Sequence, residues 1–328
     1  MLCSALTAHV QLQSGVFTRA QAMAAGYDED AIRSQVRRRH WVVLRRGVYV
    51  EREVFDATAG DVRARHLLHT WAALLRLDGP VVASHDSGAL NLGLRLLEWP
   101  TDVHSTRAAA VLRSPDRYDG LYVHRATLPP HHLHEIEGMP SVAAARAVAD
   151  IARLHGVRAG VVTADSALQL ERCTPDDLRE VAADMEGWPN VSEVVRTVEL
   201  ADKRGQSVGE SVSRLGFLES PLPQPEPQFK VYDADGRLIA VTDFGWRELG
   251  VVGEVDGKVK YAEDATAAVW GERYRQQDVE DTGLVVVRWT HAESLFRFGD
   301  VVIPRVERGF RRAQAMGLAR STPRTTPA

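Results

Sequence analysis

The stretch VVGEVDGKVKY, residues 251–261, places Glu254 and Asp256 two residues apart and follows them with Lys258 and Lys260. In an extended strand, side chains at i, i+2 and i+4 share one face. Glu254, Asp256 and Lys258 would therefore converge, while Val255 and Val259 face the other side. Clustered carboxylates are costly unless they hold a cation. Two more acids precede them: Glu210 in a helix-forming run and Asp243 at a strand end, with Trp246-Arg247-Glu248-Leu249-Gly250 as the turn before Glu254. In an antiparallel hairpin this spacing can bring Asp243 and Glu254 to one end of a sheet. A hard cation such as Mg²⁺ (or Mn²⁺) takes oxygen ligands. It can activate water and neutralise charge on a phosphate oxygen, with a nearby Lys steadying the transition state. Such a set is the minimal kit for metal-assisted phosphodiester hydrolysis. The competing reading makes Asp243 a turn cap and Glu254, Asp256 and Lys258 a solvated edge with a local ion pair. Gln228, beside Phe229, either orients the helix carrying Glu210, binds substrate or is an exposed edge amide. Arg275 and Arg288 either reach a phosphate or pair with nearby acids.

The elements that must position these residues lie in a block at about 205–315. The pattern predicts a helix over SVGESVSRLGFL, a Pro-rich turn, strands at QFKVYDA, LIAVTDFGW and VVGEVDG, a helix over EDATAAVWGERYRQQDVEDTG and a strand LVVVRWT. In order, GESVSRLGF, LPQPEPQFKV, VTDFGW, GEVDGKVKY, ERYRQQD and GLVVVRWT resemble the PD-(D/E)xK restriction-endonuclease-like family, nearest its Vsr-like group with an E-x-D-G motif. The resemblance spans Ser207 to about Leu295. It implies a mixed sheet flanked by helices, Glu210 as the helix acid, Asp243 and Glu254 as metal ligands, and a Mg²⁺-dependent DNA endonuclease. Where most members carry the E-x-K lysine this chain has Asp256, leaving Lys258 or Lys260 as its substitute.

The first block, 1–57, reads as helix, turn, helix and hairpin. Thr18 and Gln21 have capping-box spacing, Gly26 ends the short helix, and Asp28 or Asp30 caps DAIRSQVRRRH, with Ile32 and Val36 inward. WVVLRRGVYV reads as two strands around Arg45-Arg46-Gly47. This is the order of a winged helix-turn-helix. Arg33, Arg37, Arg38, Arg39, Arg45 and Arg46 form a basic set with no intervening acid, suited to double-stranded DNA; the alternative is a solvated basic helix. The segment GVFTRAQAMAAGYDEDAIRSQVRRRHWVVLRRGVYV also resembles the N-terminal domain of AbiEi-type antitoxins. That resemblance implies binding to promoter DNA, repression of the protein's own operon and a cognate toxin partner.

The middle block, 58–204, is expected to be mixed α/β and looks like the AbiEi-like core through VVASHDSGALNLGL and VAAARAVADIA. His85 and Asp86 between Ser84 and Ser87 lack a nucleophile-elbow glycine pattern and read as a helix cap. His131-His132-Leu133-His134 lacks a spaced fourth ligand and reads as a polar loop. The fold class is thus α+β, in three blocks followed by a tail at 316–328 whose composition predicts disorder.

Composition sets the outer bounds. Of 328 residues, 45% are hydrophobic and 26% charged, as in ordinary globular proteins. No apolar run approaches the ~18–20 residues of a membrane span. The start lacks a basic n-region, so no signal peptide is read. Two well-separated cysteines fit a reducing cytoplasm. The net charge of −4 puts the burden of any nucleic-acid reading on local basic patches. Two functions follow: a DNA-binding protein carrying a metal-dependent endonuclease-like domain, or an AbiEi-like repressor whose nuclease-like domain is a non-cleaving scaffold.

Overall fold

In the computed structural model, which describes residue 6 and residues 10–109, 113–233, 235–256, 279 and 281–318, Thr18 ends strand β1 (Val16–Thr18) and starts helix α1 (Arg19–Ala24). Its Oγ1 accepts from Gln21 N at 3.2 Å, and Gln21 Oε1 accepts from Thr18 N at 2.8 Å. This is the capping box expected from the spacing. Gly26, at φ +94°, turns the chain. Asp28 Oδ1 then accepts from Ala31 N at 2.7 Å to open helix α2 (Glu29–Arg37). Ile32 and Val36 point inward onto Phe17, Ala22, Trp41 and Tyr49. Strands β2 (Trp41–Arg45) and β3 (Val48–Glu51) pair around Arg46-Gly47, and the small sheet has the order β1-β3-β2.

The second face of that sheet sets the boundaries of the unit. After helices α3 (Arg52–Ala57) and α4 (Val62–Leu74), Leu68, Trp71 and Ala72 of α4 pack with Val16, Val48 and Val50 in one core. Ala83 and Met139, from further along the chain, complete it. A three-stranded sheet with both faces apolar must bury both. Residues Met1–Ala201 accordingly form one compact unit, where the sequence reading divides them at 57/58.

The rest of this unit is a six-stranded mixed sheet and a helical layer. Strand β4 (Val81–Ala83) leads into helix α5 (His85–Asn91). Next come β5 (Val103–Ala108), β6 (Arg113–Tyr118), β7 (Leu121–Ala126), β8 (Leu133–Ile136) and β9 (Met139–Val142). The sheet order is β6-β7-β5-β4-β9-β8, with β5 and β7 parallel. Helices α6 (Ala144–His155), α7 (Val157–Gln169), α8 (Pro175–Asp184) and α9 (Val191–Leu200) follow. Gly160 lets α7 approach its neighbours closely: a Cβ there would lie 2.5 Å from Thr197 Oγ1 and 2.7 Å from Ala152 Cβ.

The second unit, Asp202–Ala328, holds helix α10 (Val208–Leu218) and strands β10 (Glu226–Tyr232), β11 (Leu238–Trp246), β12 (Val251–Asp256) and β13 (Val285–Thr290). Helices α11 (His291–Phe296) and α12 (Ile303–Ala315) complete it. The strands lie in chain order, antiparallel until the parallel β12–β13 pair, which gives a mixed sheet with flanking helices. Phe217, Phe244, Trp246, Trp289 and Phe310 fill its core, and Trp289 Nε1 donates to Ser213 Oγ at 2.9 Å. Most of the expected helix between β12 and β13, together with Lys258, Lys260 and Arg275, lies outside the described residues, as does most of the tail.

The shared core of the first unit makes a quantitative prediction. Leu68→Ala should cost about 2–5 kcal/mol, the usual range for a buried leucine. Amide hydrogen exchange should then accelerate in β3 and β4 together; acceleration confined to β4 would mean that the hairpin is stabilised on its own.

Candidate functional site

Three places carry chemistry, two picked out in the sequence and one not. At the carboxylate end of the second unit, the β11–β12 ladder runs from Trp246↔Val251 to Phe244↔Gly253 and stops at Asp243. Asp243 Oδ2 instead accepts from Val255 N at 2.7 Å, so a side chain takes over where the backbone ladder ends. On β10, Gln228 sits between the pairs Pro227↔Phe244 and Phe229↔Thr242, at φ +54°. That conformation is strained for a residue with a Cβ. It lets Gln228 Nε2 donate to Glu210 Oε2 at 2.9 Å, and Gln206 N donates to the same oxygen at 3.0 Å. Glu254 stands opposite Arg288 in the parallel pair and accepts from its guanidinium at 2.5 Å. Asp256, opposite Thr290, is exposed.

Glu210 and Gln228 therefore touch, and Asp243 and Glu254 lie on neighbouring strands where the ladder ends. The oxygen donors suit Mg²⁺ or Mn²⁺ in chemistry. As they stand, each of these acids is engaged by a protein donor. Glu210, Asp243 and Glu254 each hold an internal hydrogen bond, and among the described residues no three carboxylates bring their oxygens within 4.8 Å of one another. No reaction step through such an ion follows from this geometry. Lys258, Lys260 and Arg275 fall outside the described residues.

On the N-terminal basic face, Arg33, Arg37, Arg38, Arg39 and Arg46 are exposed. Arg33 pairs with Asp30 at 2.7 Å, and Arg39 closes α2 in the left-handed region at φ +61°. Arg45 departs from the expected free hairpin tip. Its guanidinium donates to the carbonyls of Asp119 at 3.1 Å and Gly120 at 3.0 Å, tying the hairpin to the β6–β7 turn.

The third place lies in the first unit. His85, His104 and His124 offer ligand nitrogens within 4.8 Å of one another. Parallel pairing sets His104 beside Tyr122 and Thr106 beside His124, and α5 delivers His85, whose φ is +51°. His104 Nδ1 and His124 Nε2 lie 3.0 Å apart, and the His85 and His124 rings stack at 3.7 Å. A cavity of about 520 Å³ opens beside them, lined by Asp86, Trp99, His104, Tyr122, His124 and His155. The helix-cap reading of this segment does not hold. Ser84 precedes α5 but makes no cap bond, because its Oγ accepts from Thr106 Oγ1 at 2.7 Å and faces His85 Nδ1 at 3.0 Å. Ser87 Oγ likewise binds His104 N and His66 Nε2, both at 2.8 Å. The polar-loop reading of 131–134 also changes: His132 is buried and meets Asp184 at 3.1 Å, with His131 at 2.7 Å from the same oxygen. The available signal was polar residues at alternate strand positions, His104 with Thr106 and Tyr122 with His124.

Burial drives the titration of these rings. It holds His66 and His132 down to about 4 and His124 to about 3, with neighbouring cations and imidazoles adding to the effect. His85 and His104 are also lowered, chiefly by desolvation, whereas the hydrogen bond to Asp86 raises His155. A histidine whose folded pKa lies below its unfolded 6.5 binds protons better when unfolded. Stability should therefore be fully present above pH ~6.5 and fall progressively toward pH ~4. Denaturant titrations across that range check this, and a flat profile would contradict it.

Residues 4–52, which include the two-helix and hairpin segment, match the family described as "Transcriptional regulator, AbiEi antitoxin". The chain is also 25% identical over 168 residues to two uncharacterised proteins of Mycobacterium tuberculosis, from strains CDC 1551 / Oshkosh and ATCC 25618 / H37Rv. Each alignment covers 51% of this chain and 60% of the relative, so the chain spans 60% of the length of these curated relatives. No helix among the described residues is long and apolar enough to cross a membrane. The family match supports an AbiEi-type antitoxin domain at the N-terminus.

Proposed function

We propose that this chain is a DNA-binding transcriptional regulator of the antitoxin type, whose N-terminal winged helix meets duplex DNA and whose protein partner is a cognate toxin. The family match over residues 4–52 carries the reading. The exposed arginines of α2 and of the hairpin tip support it. Arginine presents a planar fork of donors to phosphate oxygens. A helix and a wing that both carry such forks can straddle a groove and its flanking backbone. Arg45 holds the hairpin in place, while Arg37, Arg38, Arg39 and Arg46 face outward to bind. On this reading Glu210, Asp243 and Glu254 serve as internal ties of a scaffold.

A second reading, metal-dependent hydrolysis of DNA phosphodiester bonds, draws on one observation: the strained Gln228 backbone that fastens Glu210. Strain of this kind gathers at functional sites. On that reading Glu210, Asp243, Glu254 and Asp256 are the catalytic acids, with Lys258 as the cation beside the phosphate.

Two measurements separate the readings. In the triple variant Arg37→Ala, Arg38→Ala, Arg46→Ala, binding to a duplex from the protein's own upstream region should weaken. The slope of log affinity against log salt should also flatten by about 0.9 for each phosphate that is no longer neutralised. Unchanged binding would move the DNA surface elsewhere. Plasmid and single-stranded DNA incubated with the protein and Mg²⁺ or Mn²⁺ should stay intact if the regulator reading holds. Cleavage that disappears in Asp243→Ala would establish the hydrolase instead.

A further inference from the structure

The histidines of the first unit play no part in either reading. We propose that His85, His104 and His124 hold a divalent transition-metal ion of the zinc class, with its fourth coordination position opening onto the adjoining cavity beside Tyr122 and His155.

Geometry carries the assignment. His104 Nδ1 faces His124 Nε2 at 3.0 Å, so two imidazole nitrogens address each other across a gap that a proton or a cation must bridge. The opposite nitrogens of two of the rings face acids. His104 Nε2 lies 4.0 Å from Asp86 Oδ2, and His85 Nδ1 lies 3.8 Å from Asp150 Oδ2. That Asp150 oxygen is buried and has no hydrogen-bond partner among the described residues. A carboxylate behind a ligating histidine orients the ring and raises its basicity, the usual outer shell of a histidine-bound metal. With Nδ1 of His85 turned to Ser84 and Asp150, its Nε2 remains for the ion.

Neutral imidazole is a donor for zinc, cobalt, nickel and copper and a poor one for Mg²⁺ or Ca²⁺. Three histidines and an open fourth position make a site able to bind water or a ligand from the cavity. Drawing the nitrogens to about 2.0–2.1 Å from one ion would turn His85 and His124 out of their stack.

The other histidine group, His131, His132 and Asp184, is excluded by a proton. Arg146 can only donate, and it does so to His132 Nδ1 at 3.0 Å. The His132 hydrogen is thereby fixed on Nε2, facing Asp184, and that nitrogen has no lone pair for a metal.

The test uses the full chain, freed of metal by a chelator and titrated at neutral pH with Zn²⁺ or Co²⁺ alone. One equivalent should bind. The cobalt form should show the strong visible bands of a low-coordinate nitrogen site, and X-ray absorption of the zinc form should show imidazole nitrogens. His124→Ala should weaken binding at least tenfold, while His131→Ala should bind as the parent does. Thermal melts verify that each variant is folded. If His124→Ala does not fold, His104→Gln and the absorption spectrum of the parent chain decide. No uptake by the parent chain, an all-oxygen shell, or loss of binding in His131→Ala would each overturn the assignment.

Discussion

The buried guanidinium of Arg146 organises the first unit. It is almost fully enclosed, and Nε and Nη1 are engaged: Nε donates to Asp150 Oδ1 at 2.9 Å, and Nη1 to Thr127 O and to His132 Nδ1, each at 3.0 Å. A charge so far from water persists only when paired and hydrogen-bonded, and losing one partner of such a pair typically costs about 3–5 kcal/mol. Because arginine never accepts, each contact is directional. One end of the side chain fixes the tautomer of His132. The other occupies one oxygen of Asp150 and turns the second toward His85. A single cation thus gives the two histidine groups opposite characters.

Local features are legible in the sequence because local physics makes them. The Thr18 capping box and a cap on α2 depend on residues three apart and form as the spacing requires; of the two candidate caps Asp28 serves, and the turn shortens to Arg46-Gly47 because Arg45 pairs with Val48. The strands of the second unit are legible for the same reason, through alternation and turn residues, whereas the parallel β12–β13 pairing is not a local feature. The histidine site is not. His85, His104 and His124 sit on three separate elements, and only the parallel register of β5 and β7 with the placement of α5 brings them together. Ser84 stands where a cap belongs, but its hydroxyl is engaged by Thr106 and His85, which no local spacing reveals.

The carboxylates mark the limit between position and role. Their spacing correctly places Asp243 and Glu254 on adjacent strands, but spacing does not reveal what each oxygen binds. Asp243 mends the end of a backbone ladder, Glu254 meets Arg288, and Glu210 is fastened by an amide from β10. Arg45 teaches the same lesson with the sign reversed: a basic residue beside a hairpin tip suggests a phosphate ligand, but two carbonyls on the β6–β7 turn occupy it.

That anchorage also bears on how fast and how tightly the hairpin can engage a partner. An untethered two-stranded arm samples many orientations, and docking must select one of them at an entropic cost. Here Arg45 reaches across the unit to Asp119 and Gly120, at the start of the strand that carries Tyr122 and His124. The arm is preorganised before any encounter, so binding energy need not be spent on immobilising it.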